Sequence, residues 1–374
     1  MTPRTVQRAM AEIDDPEPGP PVDSFAASFR VYEVRTDGDR VLYFGDPLVP
    51  PDTLLERVWP RFRDDGYEVQ LSRQTGEYVL VAEPVSEGID GIPWTNVVLA
   101  VATVFSTLFV GTVWYGLDPM ANPWTILYAW PFTAAVMGVL GIHELGHYVM
   151  SRYHGVDASL PYFLPLPNLI GTMGAVIKIR GQMPDRKALF DIGAAGPLAG
   201  LIATVVVTTI GLHLDPVSVP EGSLPFELGY PPLLQLLAAL TGQPLSFPAG
   251  QSINPVVVGG WVGMFVTFLN LLPVGQLDGG HIVRAIAGER QETVAALVPA
   301  VLFGMAGYLH YVQNVDGNAT FLWVFWGLFS SAIAFAGPAN PVRDESLDAR
   351  RTALGVFTFV FGALCFTPVP IVIP

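Results

Sequence analysis

The sequence predicts a polytopic α-helical membrane protein: about seven transmembrane helices, a re-entrant β-hairpin and a small N-terminal α+β soluble domain. Three observations predict it. Of 374 residues, 51% are hydrophobic and only 14% charged, with mean hydropathy +0.44, which no ordinary soluble globule shows. Apolar stretches of membrane-crossing length recur from Ile92 onward. The basic residues fall only in alternate connections between those stretches, the pattern of the positive-inside rule.

The elements follow in order. Residues 1–23 are rich in Pro, Asp and Glu and lack an apolar core, so they read as a disordered leader and not as a signal peptide. Residues 24–85 read as a cytoplasmic domain. FRVYEV and RVLYF alternate apolar and polar, as strands do. TLLERVWPRFRDDG has apolar positions at helical spacing, with Asp52 as its N-cap and Gly66 as its end. YEVQLSR and EYVLVAE then form a hairpin, giving the order β-β-α-β-β.

Residues 86–374 form the transmembrane domain. Spans are expected at about 94–116, 126–150, 188–212, 253–273, 292–312, 319–337 and 352–371. The stretch 161–179, PYFLPLPNLIGTMGAVIKI, is apolar but broken by three prolines and two glycines, so it suits a re-entrant hairpin better than a helix. The stretch 231–242 is too short to cross and suits the interface. Lys and Arg occur up to Arg73, from Arg152 to Lys187, at Arg284 and Arg290, and from Arg343 to Arg351; the loops 117–125, 213–252 and 313–318 hold none. Seven spans with the N-terminus inside a plasma membrane satisfy this distribution.

Charge and cysteine narrow the function. A net charge of −14 argues against a nucleic-acid partner. Only Lys178 and Lys187 are lysines. An acidic, Lys-poor chain suits the high-salt cytoplasm of a halophilic archaeon, though a GC-rich genome produces the same Arg bias. The single cysteine, Cys365, excludes an intrachain disulfide and a Cys-based metal site.

HELGH, residues 143–147, is the sharpest local signal. On a helix, His143 and His147 share one face and can hold one metal ion, with Glu144 placed as general base. The motif also occurs by chance, but here it lies near the end of an expected span, where ionisable side chains are costly and functional by default. A packing cluster is the bland alternative. A catalytic zinc takes three protein ligands, and the nearby third ligand of soluble relatives is missing: Met150 and Tyr153 stand where Gly and His belong. His154 reads as a solvated loop residue. Asp191 and Asp278 both reach the depth of HELGH from other helices, and depth leaves both open.

NLLPVGQLDGG, residues 270–280, resembles the second signature of the site-2 protease family of intramembrane metalloproteases, N-x-x-P-x-P-x-L-D-G, and HELGH resembles the first. Asn270, Pro273, Leu277, Asp278 and Gly279 match; Gly275 stands where the second proline is expected. That glycine, with GTMGAVIKIRGQMPDRKALFDIGAAGPLAG, resembles the plant plastid branch linked to ethylene-dependent gravitropism and its prokaryotic relatives. The resemblance covers a catalytic core of about 94–290.

It implies that His143, His147 and Asp278 bind one zinc ion per chain and that Glu144 is the general base and acid. It places Asn270 near the reacting centre, with an interhelical hydrogen bond as the plainer role. It makes Gly171, Thr172, Met173, Gly174, Ala175 and Val176 a hairpin edge that receives substrate. Gly196 and Pro197 are expected to serve packing, and His281 to cap or snorkel, with facing the site as its alternative. The implied activity is hydrolysis of membrane-spanning proteins near the cytoplasmic face of the bilayer. An ion transporter using the same His and carboxylates would show zinc-dependent flux without proteolysis; a silent scaffold would lose part of the constellation.

Overall fold

The structure is a computed structural model that describes residues 19–74, 76–85, 91–219, 227–337 and 339–372. Most of the expected leader, residues 1–18, lies outside the described residues. The chain divides into two compact units, Met1–Gly88 and Ile89–Pro374.

The first unit contains β1 (Phe29–Asp37), β2 (Arg40–Pro47), α1 (Pro51–Asp64), β3 (Tyr67–Gln74) and β4 (Glu77–Pro84). The strands form one antiparallel sheet in the order β1-β2-β4-β3. Leu54, Val58 and Phe62 recur every fourth residue of α1 and are fully buried, with Tyr43, Val69 and Leu80 of the sheet in the same core. Burying each such side chain stabilises the fold by about 1.5–3 kcal/mol. The helix starts at Pro51, capped by Pro50, so Asp52 lies inside the first turn and is not the cap. Pro fits there because its missing N–H is unpaired anyway.

The second unit begins with α2 (Trp94–Trp114), α3 (Trp130–Tyr153), β5 (Tyr162–Pro165), β6 (Thr172–Val176), β7 (Met183–Asp185) and α4 (Arg186–Leu212). It continues with β8 (Val217–Ser218), β9 (Glu227–Leu228), α5 (Pro232–Thr241), β10 (Gln251–Ser252), α6 (Pro255–Asn270) and α7 (Asp278–Ala287). It ends with α8 (Arg290–Tyr311), α9 (Gly317–Ala336), β11 (Pro341–Arg343), α10 (Ala349–Ala363) and β12 (Ile371–Val372). Among the described residues, five helices are long and apolar enough to cross a membrane: Trp94–Trp114, Pro123–Tyr153, Arg186–Leu212, Arg290–Tyr311 and Ala319–Ala336. The protein is a polytopic membrane protein.

Two expected spans come out shorter. The stretch 253–273 yields α6, 16 residues long, about 24 Å against a core of about 30 Å. It is buried along most of its length, so its surroundings are protein and not lipid. The stretch 352–371 yields α10, which stops at Ala363; Pro368 and Pro370 cannot continue a helix, and the chain turns to pair β12 with β9. The stretch 161–179 is indeed no helix: β5 and β6 pair antiparallel, with Tyr162 opposite Val176.

Small residues set the packing at the centre. A Cβ added at Gly259 of α6 would stand 2.4 Å from the Ala135 Cβ of α3. At Gly260 it would stand 2.0 Å from the Thr208 Oγ1 of α4, and at Gly263 2.2 Å from the Thr204 Oγ1. Without a hydrophobic drive between helices in lipid, such close backbone approach is what holds them. It brings α3, α4 and α6 near enough for side chains of α3 and α7 to meet.

Candidate active site

His143 and His147 project from one face of α3, and Asp278 is the first residue of α7. The loop between α6 and α7 positions Asp278. Gly275 has φ +50°, and a Cβ there would lie 2.3 Å from Ile333 Cγ2. The expected proline, fixed near −65°, has no place at this position. Gly279 and Gly280 bring the first turn of α7 against the Leu271 and Gly275 carbonyls, 2.1 and 2.3 Å from where Cβ atoms would be.

The three side chains converge and are buried. His143 Nε2 lies 3.2 Å from Asp278 Oδ2, His147 Nε2 lies 3.2 Å from Asp278 Oδ1, and the two Nε2 atoms are 3.2 Å apart. The tautomer of His147 follows from its other nitrogen. Its Nδ1 donates to the Ile192 carbonyl oxygen at 2.7 Å, leaving Nε2 as a lone pair aimed at the cluster. Donors bound tetrahedrally at 2.0–2.2 Å stand about 3.3–3.6 Å apart, close to the spacing seen. Two carboxylates, Asp278 and Glu144, and two imidazoles gathered out of water call for a divalent cation as their charge complement. The residues present fit a bound metal ion.

Glu144 is buried on the same helix and shares the wall of one cavity with Ile177, just beyond β6. A cavity of about 180 Å³ opens beside the cluster, lined by Glu144, His147, Asp278, Asn270, Val176 and Ile177 among others. The Asn270 amide donates toward His143 Nε2 at 3.3 Å. Val176 thus lies at the cavity, whereas Thr172, Met173 and Gly174 line a second one. Gly171, with φ +85°, packs its backbone on Thr107 of α2 instead.

Asp191 sits elsewhere. Arg351 of α10 grips it with two parallel bonds, Nε to Oδ1 at 2.7 Å and Nη2 to Oδ2 at 2.8 Å, and His154 Nε2 lies 2.9 Å from Oδ2. His154 is therefore not a free solvated histidine; it is half-buried in an ion cluster. His281 does not snorkel either. It is buried on α7, one turn from Asp278, and lines the same cavity as Glu144.

Residues of α4 complete the site, and sequence reasoning assigned them to packing or missed them. A Cβ at Gly196 would stand 2.0 Å from His147 Nε2, and one at Gly200 2.8 Å from His143 Nδ1. Gly193, Gly196 and Gly200 are spaced as one helix face, the only signal in the sequence that α4 lies against something rigid.

Residues 131–306 match the family model described as Peptidase family M50. The chain is 35% identical over 298 residues to "Probable zinc metalloprotease EGY1, chloroplastic" of Arabidopsis thaliana, covering 74% of this chain and 51% of that protein. It is 29% identical over 244 residues to "Probable zinc metalloprotease EGY2, chloroplastic" of Oryza sativa subsp. japonica, covering 62% and 41%. The chain spans about half the length of the curated relatives it matches. Among solved structures, a site-2 protease from Methanocaldococcus jannaschii aligns with a TM-score of 0.33 and 16% identity, covering 66% of this chain and 92% of that one.

Proposed function

We propose that the chain, whose residues 131–306 match the model of peptidase family M50, is an intramembrane zinc metalloprotease that cuts membrane-spanning proteins near the cytoplasmic face. One observation carries the reading: within a unit of membrane-crossing helices, His143, His147 and Asp278 gather their donor atoms within 3.2 Å of one another while Glu144 lines the adjoining cavity. His143, His147 and Asp278 are the ligands. When bound there, zinc supplies a Lewis acid that polarises a carbonyl and acidifies water near neutral pH.

The protein's own groups do the rest. Glu144 takes a proton on its carboxylate as water attacks the scissile carbonyl, and returns it to the leaving amine. Asn270 lines the cavity with its amide toward His143 Nε2, and would swing that amide to the carbonyl oxygen as charge develops. Ile192 fixes the His147 ring through its carbonyl. A substrate helix keeps its backbone bonded internally and offers no carbonyl to attack, so it must unwind locally. Among the described residues β6 pairs with β5 along one edge only, and its other edge receives the unwound segment as an added strand. In this reading the β5–β6 hairpin enters the membrane from the inner side, α6 and α10 bring the crossings to seven, and the N-terminal unit is cytoplasmic.

The test uses the full chain with a single-span substrate in liposomes. Wild type should carry about one zinc per chain and cleave. Glu144→Gln should keep the metal and lose activity by about 10²–10⁴-fold. Undiminished cleavage by Glu144→Gln overturns the assignment of the base, and absent zinc in wild type overturns the metal centre.

A further inference from the structure

A second cavity, of about 280 Å³, adjoins the first. Asn270 lines both. Three elements place the second cavity on the same side of the first. On α3 it is lined by Leu140, four residues before Glu144; on α6 by Val262 and Val266, before Asn270; on β6 by Thr172–Gly174, before Val176. Four residues of helix rise about 6 Å, and two to three residues of strand advance about 7–10 Å. The two cavities are thus separated by about two or three residues of extended chain.

The lining fixes what fits. Apolar walls come from Leu140, Val262, Val266 and Trp326, and among the described residues no charged side chain lines the cavity. The polar side chains present have partners: Thr172 Oγ1 donates to the Leu164 carbonyl at 2.8 Å, Asn168 Nδ2 to the Thr172 carbonyl at 3.1 Å, and Asn270 Nδ2 toward His143 Nε2 at 3.3 Å. At Gly174, φ is +116° and a Cβ would meet no atom within 4 Å, so the face of β6 is open there. Met173, 68% exposed, forms an adaptable rim. A charged side chain entering here would lose its water without gaining a partner, whereas an apolar one loses nothing.

Resting on the protease reading above, we infer that this cavity is a specificity pocket of the same cleft. It takes a large apolar or aromatic substrate side chain, two or three residues from the scissile bond on the Leu140 side. For a substrate strand antiparallel to β6 that position follows the bond; for a parallel strand it precedes it.

The test uses the full chain in liposomes and a single-span substrate with a central Asn-Pro helix-breaking segment. Its cleavage point is mapped by mass spectrometry, and each of four residues on either side is set in turn to Ala, Phe or Lys. Phe should exceed Ala by about 10-fold or more in kcat/KM at one position, two or three residues from the bond, with Lys poorest there. Val266→Phe, which narrows the pocket, should bring that Phe-to-Ala ratio to about 1 or below, and Val266→Ala should preserve it. A flat profile, or a Val266→Phe chain with the wild-type ratio, overturns the pocket while leaving the protease reading intact. A second arm uses Glu144→Gln with benzoylphenylalanine at the same substrate position. Photocrosslinking to peptides containing Trp326 or Val262–Val266 supports the pocket even where nothing is cleaved, and crosslinks confined elsewhere overturn it. Absence of cleavage by wild type on every member overturns the protease reading alone.

Discussion

Two His–Asp clusters share the second unit, and they differ in where their cation comes from. At Asp191 the protein supplies it: Arg351 binds both carboxylate oxygens, with His154 at 2.9 Å and Asp348 bonded to the same guanidinium at 2.6 Å. At Asp278 there is no such arm. Both oxygens face imidazole nitrogens, and Asn270 approaches His143 Nε2 at 3.3 Å. The first arrangement is closed and structural, tying the end of α3 and the start of α4 to α10. The second leaves its charge for an ion to balance. Residue type and the depth expected from the sequence are alike in the two clusters, so it is the presence of an Arg that separates a tie from a metal site.

The largest expected effect tests this contrast directly. Asp278→Ala should abolish tightly bound zinc, while Asp191→Ala should leave about one zinc per chain, measured by elemental analysis of the purified protein. A reversal would break the comparison and move the third ligand to Asp191. Next comes Gly196→Ala. In an exposed helix that change stabilises by about 1 kcal/mol; here the new methyl must displace the His147 ring. A loss of about 10–100-fold in zinc affinity is expected, the scale seen when ligand orientation is disturbed, with the helical content intact. Wild-type affinity would show that α4 yields.

Arg351→Ala should cost stability and not metal. A fully buried pair broken on one side costs about 3–5 kcal/mol; with Arg351 about a third exposed, about 1–2 kcal/mol is expected from thermal unfolding, and zinc content should stay unchanged. The smallest effect concerns Asp344, whose hydrogen bond from Arg186 holds its carboxyl below the usual range. A folded-state value below the unfolded one gives stability that is present above about pH 4 and lost as pH falls through the folded value. Wild type and Asp344→Asn should therefore differ by less than about 1 kcal/mol at neutral pH, as solvent-screened pairs do, and converge in acid.

The contrast also marks what the sequence can tell. HELGH is legible because two imidazoles four residues apart must share a helix face. The hairpin is legible because Pro161, Pro165 and Pro167 forbid a helix. Asp191 and Asp278 are not separable from depth, because the deciding group, Arg351, is 160 residues from Asp191 and nothing local announces the pairing. His154 and His281 are misread for the same reason: a histidine's role depends on what packs across from it, Asp191 in one case and Gly193 in the other. The end of α10 at Ala363 is partly legible, since Pro368 and Pro370 already bound it.

The contact between Gly196 and His147 offers a way to sort relatives without an assay. A chain that keeps HExxH and the LDG aspartate but carries a bulky residue at the position matching Gly196 has both signatures and no room for the imidazole between them. Its motifs would be inherited lettering on a site that can no longer close, so this glycine separates working members from silent ones where the two motifs cannot.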